Sequence, residues 1–439
     1  MSTDTVSATT PSHAQPTGTP DLAEWFNSGC ACVTLDRRDL ATHLAQQLGD
    51  ATAESLVHHF PGLFSNVALF LPTGEFRAMQ QIIEAIETVA ALPAYQQHVL
   101  VQAPAIAHRD PGASGVFMGY DFHRASQRDG DSPKLIEINT NAGGGFLNAA
   151  LRRSQQACCP EMSALLWPPI SQEFETSVLA MFREEWARQR ADRPLQRIAI
   201  VDDAPSEQFL YPEFLLAQQL FRRHGIDAVI ADPSELQLRD NRLYVGDQVI
   251  DLVYNRLTDF LLSEPGHAVL QQAYEQDAVV LTPHPHVYAL YADKRNLITL
   301  RDREQLQRWQ VPDALQQTLS QGIPETVAVN ADNAELLWQQ RKHWFFKPAR
   351  GYGSKASYRG DKLTRKTWQE IVAADYIAQA FAPPSERVIA QDGATLALKT
   401  DVRVYRYAGR TLLVAARLYQ GQTTNMRTPG GGFAPVFLI

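Results

Sequence analysis

His343-Trp344-Phe345-Phe346-Lys347-Pro348-Ala349-Arg350-Gly351-Tyr352-Gly353-Ser354-Lys355-Ala356-Ser357-Tyr358-Arg359-Gly360 reads as a strand, a glycine-spaced cationic loop and a second strand. The apolar run delivers Lys347 just before a turn whose glycines permit close backbone approach. Its N–H groups and lysines can together surround phosphate oxygens. The spacing is not G-x-x-x-x-G-K-[ST], so this is no P-loop. Taken alone, a lysine beside a glycine-rich hairpin is also what an ordinary solvated turn looks like.

Upstream of this loop the pattern is strand–helix–strand. Residues 197–203 (RIAIVDD) form a short buried strand ending in acids. An amphipathic run follows, EQFLYPEFLLAQQLFRRHG at 207–225, with Gly225 as its stop. DAVIAD, LYVGDQVIDLVYNR and AVVLTP supply further strands, so a small parallel α/β layer is expected from about 194 to 288. No G-x-G-x-x-G follows its first strand, which argues against a dinucleotide site. Arg256 ends a strand of this layer, and ligands of such layers sit beyond the strand carboxyl ends. It is therefore a candidate for gripping a substrate carboxylate, although a surface arginine fits the sequence too. The loop TPHPHVY (282–288) holds His284 and His286 and reads as a turn with polar tips.

The region 289–439 reads as α+β. YADKRNLITLRDREQLQRW (291–309) is expected to be helical, whereas DYIAQAF, DVRVYRYAGRTLLVAARLYQ and the glycine-rich end suggest an antiparallel sheet. Arg403 and Arg417 lie on strands where they could face an anionic cleft, followed by Asn425 and Arg427 before Pro429 and three glycines.

Residues 21–193 are mostly helical by pattern, with stretches around 38–59, 75–92 and 171–190. Within them GVFMGYDFHR and SPKLIEINTNAGGGF form a hairpin turned at Asp129, Gly130 and Asp131. Alternation places Glu137 and Asn139 on one strand face, and the hairpin lets Asp121 lie opposite. Two carboxylates and an amide oxygen suit Mg²⁺ with phosphates completing the shell. His123 shares the face of Asp121 and reads as a packing or hydrogen-bonding residue.

Composition limits the alternatives. Forty lysines and arginines against 48 acids give a net charge of −8, so nucleic acid is not an expected partner. No apolar run approaches the ~20 residues of a membrane helix. Four cysteines, Cys30, Cys32, Cys158 and Cys159, are too few for a disulfide scaffold and lack zinc-finger spacing. Residues 1–20 carry no Lys or Arg and no apolar stretch, and read as a disordered tail. A soluble cytoplasmic protein is expected.

In their joint order these motifs resemble the ATP-grasp superfamily. The stretch 197–434 carries its small α/β layer, D-K helix start, lysine–glycine loop, hinge strand, D-x-R strand and N-x-R-G-G-like turn. The G-x-D and E-x-N strands that close that fold appear instead at 119–145, ahead of the rest. The chain thus resembles circularly permuted members such as eukaryotic glutathione synthetase and glutathionylspermidine synthase-type enzymes. The resemblance implies an α+β permuted ATP-grasp fold: a tail at 1–20, helices plus the metal strands at 21–193, a substrate-binding α/β layer at 194–288 and a nucleotide lobe at 289–439. It makes Lys294 and Lys347 phosphate lysines, with Gly351, Gly353 and Ser354 in the loop over the phosphates. Gln379, Ala380 and Phe381 would form the adenine hinge, and Asp121, Glu137 and Asn139 the ligands of Mg²⁺, two ions being expected. Arg403, Arg417, Asn425 and Arg427 would contact the γ-phosphate and acyl region. Two departures matter: Gln379 stands where many relatives carry Glu, and the loop Arg350–Gly353 lacks the glutamate of glutathione synthetase. The implied activity is ATP-dependent joining of a carboxylate to an amine through an acyl phosphate, on small metabolites or peptides. An ATP-binding scaffold without ligase activity and a phosphotransferase are the alternatives.

Overall fold

The computed structural model describes residues 22–29, 35–48, 63–125, 132–155, 171–351, 356–391, 394–422, 424 and 428–439. The expected tail, both cysteine pairs and the hairpin turn at 129–131 lie outside them. The helix seen at Arg37–Leu48 covers only the start of the stretch expected at 38–59, whose continuation also lies outside.

A short strand, Leu69–Leu71 (β1), precedes the helix Thr73–Ala90. Phe76, Met79, Ile83, Ile86 and Ala90 recur at helical spacing, giving that helix one continuous apolar stripe. Met118–His123 (β2) and Lys134–Asn139 (β3) then pair antiparallel. Gly143 and Gly144 turn the chain into the helix Gly145–Arg153. Gly144 has φ +95° and lies against the Phe433 ring, leaving no room for a Cβ.

After the helix Ser171–Arg190 comes the parallel layer, built from Arg197–Val201 (β4) and Asp227–Ala231 (β5) around the helix Tyr211–Arg223. The stretch expected to continue as one strand is interrupted. Leu236–Arg239 (β6), Arg242–Val245 (β7) and Gln248–Ile250 (β8) form a separate three-stranded antiparallel sheet. Tight turns at Asp240–Asn241 and Gly246, all at positive φ, fold it back on itself. Only Leu252–Asn255 (β9) and then Val280–Thr282 (β10) rejoin the layer, in the order β10-β9-β4-β5. Ile198–Val201 and Leu252–Asn255 are buried throughout, as strands covered on both faces must be.

Two further corrections follow downstream. His284 and His286 are not exposed loop tips: they open the helix Pro285–Tyr291, and both are buried. His284 caps the helix, accepting the Val287 N–H through Nδ1, while its Nε2 bonds the Ala113 carbonyl. The expected long helix at 291–309 is broken into Asn296–Thr299 and Arg303–Arg308. Asp302 ends the run by capping its second piece through the Gln305 N–H.

Thr326–Ala328 (β11), Trp344–Pro348 (β12), Tyr358–Arg359 (β13) and Tyr376–Ala380 (β14) form an antiparallel sheet in the order β11-β14-β12-β13. Ser385–Gln391 (β15), Ala394–Tyr407 (β16), Arg410–Tyr419 (β17) and Gly432–Leu438 (β18) complete the chain. They build the central sheet, β1-β18-β17-β16-β2-β3, with β15 also on β16. The long β16 is shared: its first half pairs with β15 and Val402–Arg406 pair with β2. The hairpin from the first third of the chain is therefore knitted into a sheet made by the last fifth. Among the described residues, no helix is long and apolar enough to cross a membrane.

Candidate active site

A cavity of about 450 Å³ opens between the central sheet, the β11–β14 sheet and the carboxyl edge of the parallel layer. Cross-strand register decides which side chains meet in it. Asp121 stands opposite Glu137 on β3 and opposite Arg403 on β16, and Asp401 opposite Arg417 on β17. Residues two apart share a face, so all five converge on one wall.

Asp121 is the centre of that wall. Arg403 grips it through Nε–Oδ1 at 2.6 Å and Nη2–Oδ2 at 2.7 Å, and Arg417 Nη2 donates to Oδ2 at 2.8 Å. Asn139 Nδ2 adds a fourth bond at 3.1 Å. Burial alone would push the Asp121 carboxyl up, but the two guanidiniums hold it well below the usual carboxylate range. Arg417 Nε also donates to Asp401, whose other oxygen accepts from Thr424. Arg417 Nη1 donates to no described residue.

Glu137 differs sharply from Asp121. It lines the cavity, and its carboxylate has no hydrogen-bond or ion-pair partner among the described residues. Lys347, on the facing sheet, is buried and donates to the Ile136 carbonyl and to Gln379 Oε1, both at 2.8 Å. Burial lowers the Lys347 ammonium to about 8; Glu137 opposes that shift and Lys294 reinforces it. A buried ammonium with only neutral acceptors is short of negative charge, which a phosphate would supply. Gln379 Nε2 is also buried without a partner.

The other expected residues are distributed unevenly. Lys294 stands behind the cavity wall, its Nζ bonded to the Gly351 carbonyl at 3.0 Å, so it supports the loop from beneath. Gly351 lines the cavity; Gly353, Ser354, Asn425 and Arg427 lie outside the described residues. In the hinge, the Ala380 and Phe381 N–H groups are already taken by the Glu325 and His343 carbonyls. The first N–H along the strand without a described acceptor belongs to Ala382, which lines the cavity and was not singled out from sequence. His123 bonds the Ala382 carbonyl at 2.7 Å, tying β2 to the hinge.

Arg256 lines the far end of the cavity and is buried. Its Nη1 donates to Asn141 Oδ1 and, at 3.4 Å, to Tyr254 Oη. Its Nη2 donates to no described residue. Behind it lies Glu213, which sequence reading missed: both oxygens cap the helix Gly145–Arg153 through the Gly144 and Phe146 N–H groups, at 2.7 and 3.1 Å. A readable signal existed, since Glu213 lies on the buried stripe of its helix with Phe214, Ala217 and Leu220. Asp202 was missed too. Burial raises its carboxyl to about 7 against the pull of Arg256.

These residues fit a triphosphate nucleotide: an under-neutralised buried lysine, a spare guanidinium nitrogen and a free backbone donor share one cavity. They also fit one divalent ion, with the Glu137 carboxylate and Asn139 Oδ1 as oxygen donors and phosphate oxygens completing the shell. On this wall Asp121 is tied to Arg403 and Arg417, and Asp401 to Arg417 and Thr424, which leaves Glu137 as the wall carboxylate without a partner among the described residues. Among the described residues, no group of three or more His, Cys, Asp or Glu side chains is arranged to hold a metal alone.

No family model and no curated protein matches the chain. Solved structures do. A glutathione synthetase-like effector (GSS30) from Globodera pallida, in its apoform, aligns over 93% of this chain and 99% of that chain, with a TM-score of 0.57 and 12% identity. At that identity the likeness concerns the fold alone: the chain has an ATP-grasp-like fold of mixed helix and sheet. A proposed gamma-glutamylcysteine synthetase from Methylobacillus flagellatus KT aligns over 81% and 85% of the two chains, at TM-score 0.45 and 10% identity. The ATP-grasp ligase PsnB, complexed with a minimal precursor, Mg and ADP, aligns over 55% and 88%, at TM-score 0.29 and 14% identity.

Proposed function

We propose that this chain is an ATP-dependent carboxylate–amine ligase that works through an acyl phosphate. One observation carries the reading: a buried lysine whose hydrogen bonds go to neutral oxygens and a carboxylate without a hydrogen-bond partner among the described residues line one cavity between two sheets, and a guanidinium nitrogen without a described acceptor stands at its far end. In this reading Lys347 and Arg417 Nη1 hold phosphate oxygens, the Ala382 N–H meets the base edge, and Arg256 Nη2 holds the carboxylate. Glu137 and Asn139 would hold Mg²⁺, which supplies charge neutralisation for the phosphates. A carboxylate oxygen attacks the γ-phosphorus, the bond to the bridging oxygen breaks and ADP leaves. The amine then adds to the acyl carbon, loses its proton and expels phosphate. The protein contributes position and positive charge rather than a covalent nucleophile.

The same reading takes 119–145 as the metal-bearing end of the fold, moved by circular permutation ahead of a substrate layer at 194–288 and a nucleotide lobe at 289–439. Its support is that β2 and β3 sit on β16 rather than on a strand near them in sequence.

A second reading, an ATP-binding protein without ligase activity, is favoured by one specific feature. Asp121 is tied to Arg403 and Arg417, which leaves the metal set one carboxylate short. ADP formation separates the two readings. A ligase releases ADP only when carboxylate and amine pools are both supplied, whereas a scaffold binds Mg·ATP and releases none.

A further inference from the structure

The two ends of the cavity differ in charge. All its lining carboxylates, Asp121, Glu137 and Asp401, belong to the wall assigned to phosphate and metal. At the other end a single charged group, Arg256, meets Leu210 over Gly143. A Cβ built on that glycine would lie 2.4 Å from Leu210 Cδ1, 2.8 Å from Arg256 Nη2 and 3.4 Å from Glu213 Oε2. Phe209 lines the same end, and Phe260 stacks on Tyr288 with ring centroids 4.7 Å apart and planes 16° apart. Neither Glu213 nor Asp202 lines the cavity, and Glu213 is buried with Oε2 3.4 Å from the same Gly143 Cβ position. Both Glu213 oxygens are occupied by backbone N–H groups, and Asp202 accepts the Asp203 N–H.

A ligase for amino acids or peptides must neutralise an α-ammonium as well as bind a carboxylate, because an unpaired charge in such a site is costly. This end offers a cation for the carboxylate, apolar and aromatic surface for its body, and no cavity-lining anion among the described residues. We infer that the carboxylate substrate is an apolar or aromatic monocarboxylate lacking an α-ammonium group. The inference rests on the ligase reading for its reaction, but the ranking of acids is a property of the pocket alone.

Calorimetric titration of the full chain tests it, with 3-phenylpropanoate, L-phenylalanine and L-glutamate as probes, each with and without Mg²⁺ and a non-hydrolysable ATP analogue. 3-Phenylpropanoate should bind at least ~10-fold more tightly than either amino acid. Arg256→Gln should weaken it by a similar factor. Thr258 is exposed on the cavity rim, so Thr258→Asp supplies the missing anion on a chain that should fold normally, and it should shift preference toward L-phenylalanine. Equal or tighter binding of L-phenylalanine or L-glutamate by the unaltered chain overturns the inference, as does no binding of 3-phenylpropanoate or an unchanged ranking in Thr258→Asp. Failure of the nucleotide analogue to bind, with the ranking intact, would instead count against the ligase reading.

Discussion

Lys347→Met has two opposite pH signatures that can be read separately. Burial takes the Lys347 ammonium from its ordinary 10.5 to about 8 in the unliganded protein. That difference corresponds to about 3 kcal/mol of stability forgone at neutral pH. The sign follows from proton counts. Between pH 8 and 10.5 the unfolded chain holds the lysine proton and the folded chain does not, so this contribution to stability rises with pH. Nucleotide binding runs the other way, because phosphate selects the protonated lysine. About nine-tenths of Lys347 is charged at pH 7 and about one-tenth at pH 9, so Mg·ATP affinity should fall about tenfold across that interval. Methionine keeps the stem but removes charge and donor. It relieves the buried charge yet orphans the Ile136 carbonyl and Gln379 Oε1, at about 1–3 kcal/mol each, so the net change in Tm at pH 7 should be small. The assay is fluorescence or calorimetric titration of Mg·ATP at pH 7, 8 and 9, alongside thermal unfolding. The variant should bind weakly and with a flat pH profile. A native profile that is flat, or a Lys347→Met profile that keeps the tenfold fall, would refute the assignment of Lys347 to phosphate.

Three further expectations concern the opposite wall. Glu137→Gln removes a carboxylate that has no hydrogen-bond partner among the described residues, so Tm should change little while the Mg²⁺ dependence of nucleotide binding weakens by orders of magnitude; unchanged Mg²⁺ titration curves would exclude Glu137 as a ligand. Asp121→Asn leaves the buried Arg403 and the half-buried Arg417 under-neutralised and should cost about 3–5 kcal/mol in denaturant unfolding. Because the Asp121 pKa is depressed, the stability difference should be fully present above pH ~4 and fade only as pH falls through the folded value; a loss below 1 kcal/mol, or one that grows in acid, would contradict the pairing. A fragment spanning 195–439 lacks β2 and β3, so it should be poorly soluble and bind no Mg·ATP until 1–193 is co-expressed; tight Mg²⁺-dependent binding by the fragment alone would overturn the permuted reading.

How far the sequence could be read depended on the range of the interactions involved. Alternation along LIEIN was enough to put Glu137 and Asn139 on one face, and antiparallel pairing of two neighbouring strands to set Asp121 opposite Glu137, because both are local rules. The parallel layer was legible from IAIV and its amphipathic successor for the same reason. What Asp121 would meet there was not. Arg403 and Arg417 come from strands 282 and 296 residues away, and only sheet order decides that they reach it. The hinge illustrates another limit. Ala380 and Phe381 have the right position, but hydrogen bonds to Glu325 and His343 use their N–H groups, a fact fixed by the partner segments. His284 misled because T-P-H-P looks like a turn, while the imidazole itself supplies the helix cap.

The most direct test follows one oxygen atom. With the carboxylate oxygens of a turned-over substrate labelled with ¹⁸O, ATP, Mg²⁺ and an amine are added, and the released phosphate is analysed by mass spectrometry. An acyl phosphate requires one carboxylate oxygen to leave with phosphorus, so each phosphate formed should carry one ¹⁸O. Unlabelled phosphate, formed at the same rate as ADP, would show that water or another nucleophile takes the γ-phosphoryl group and would contradict the ligase account.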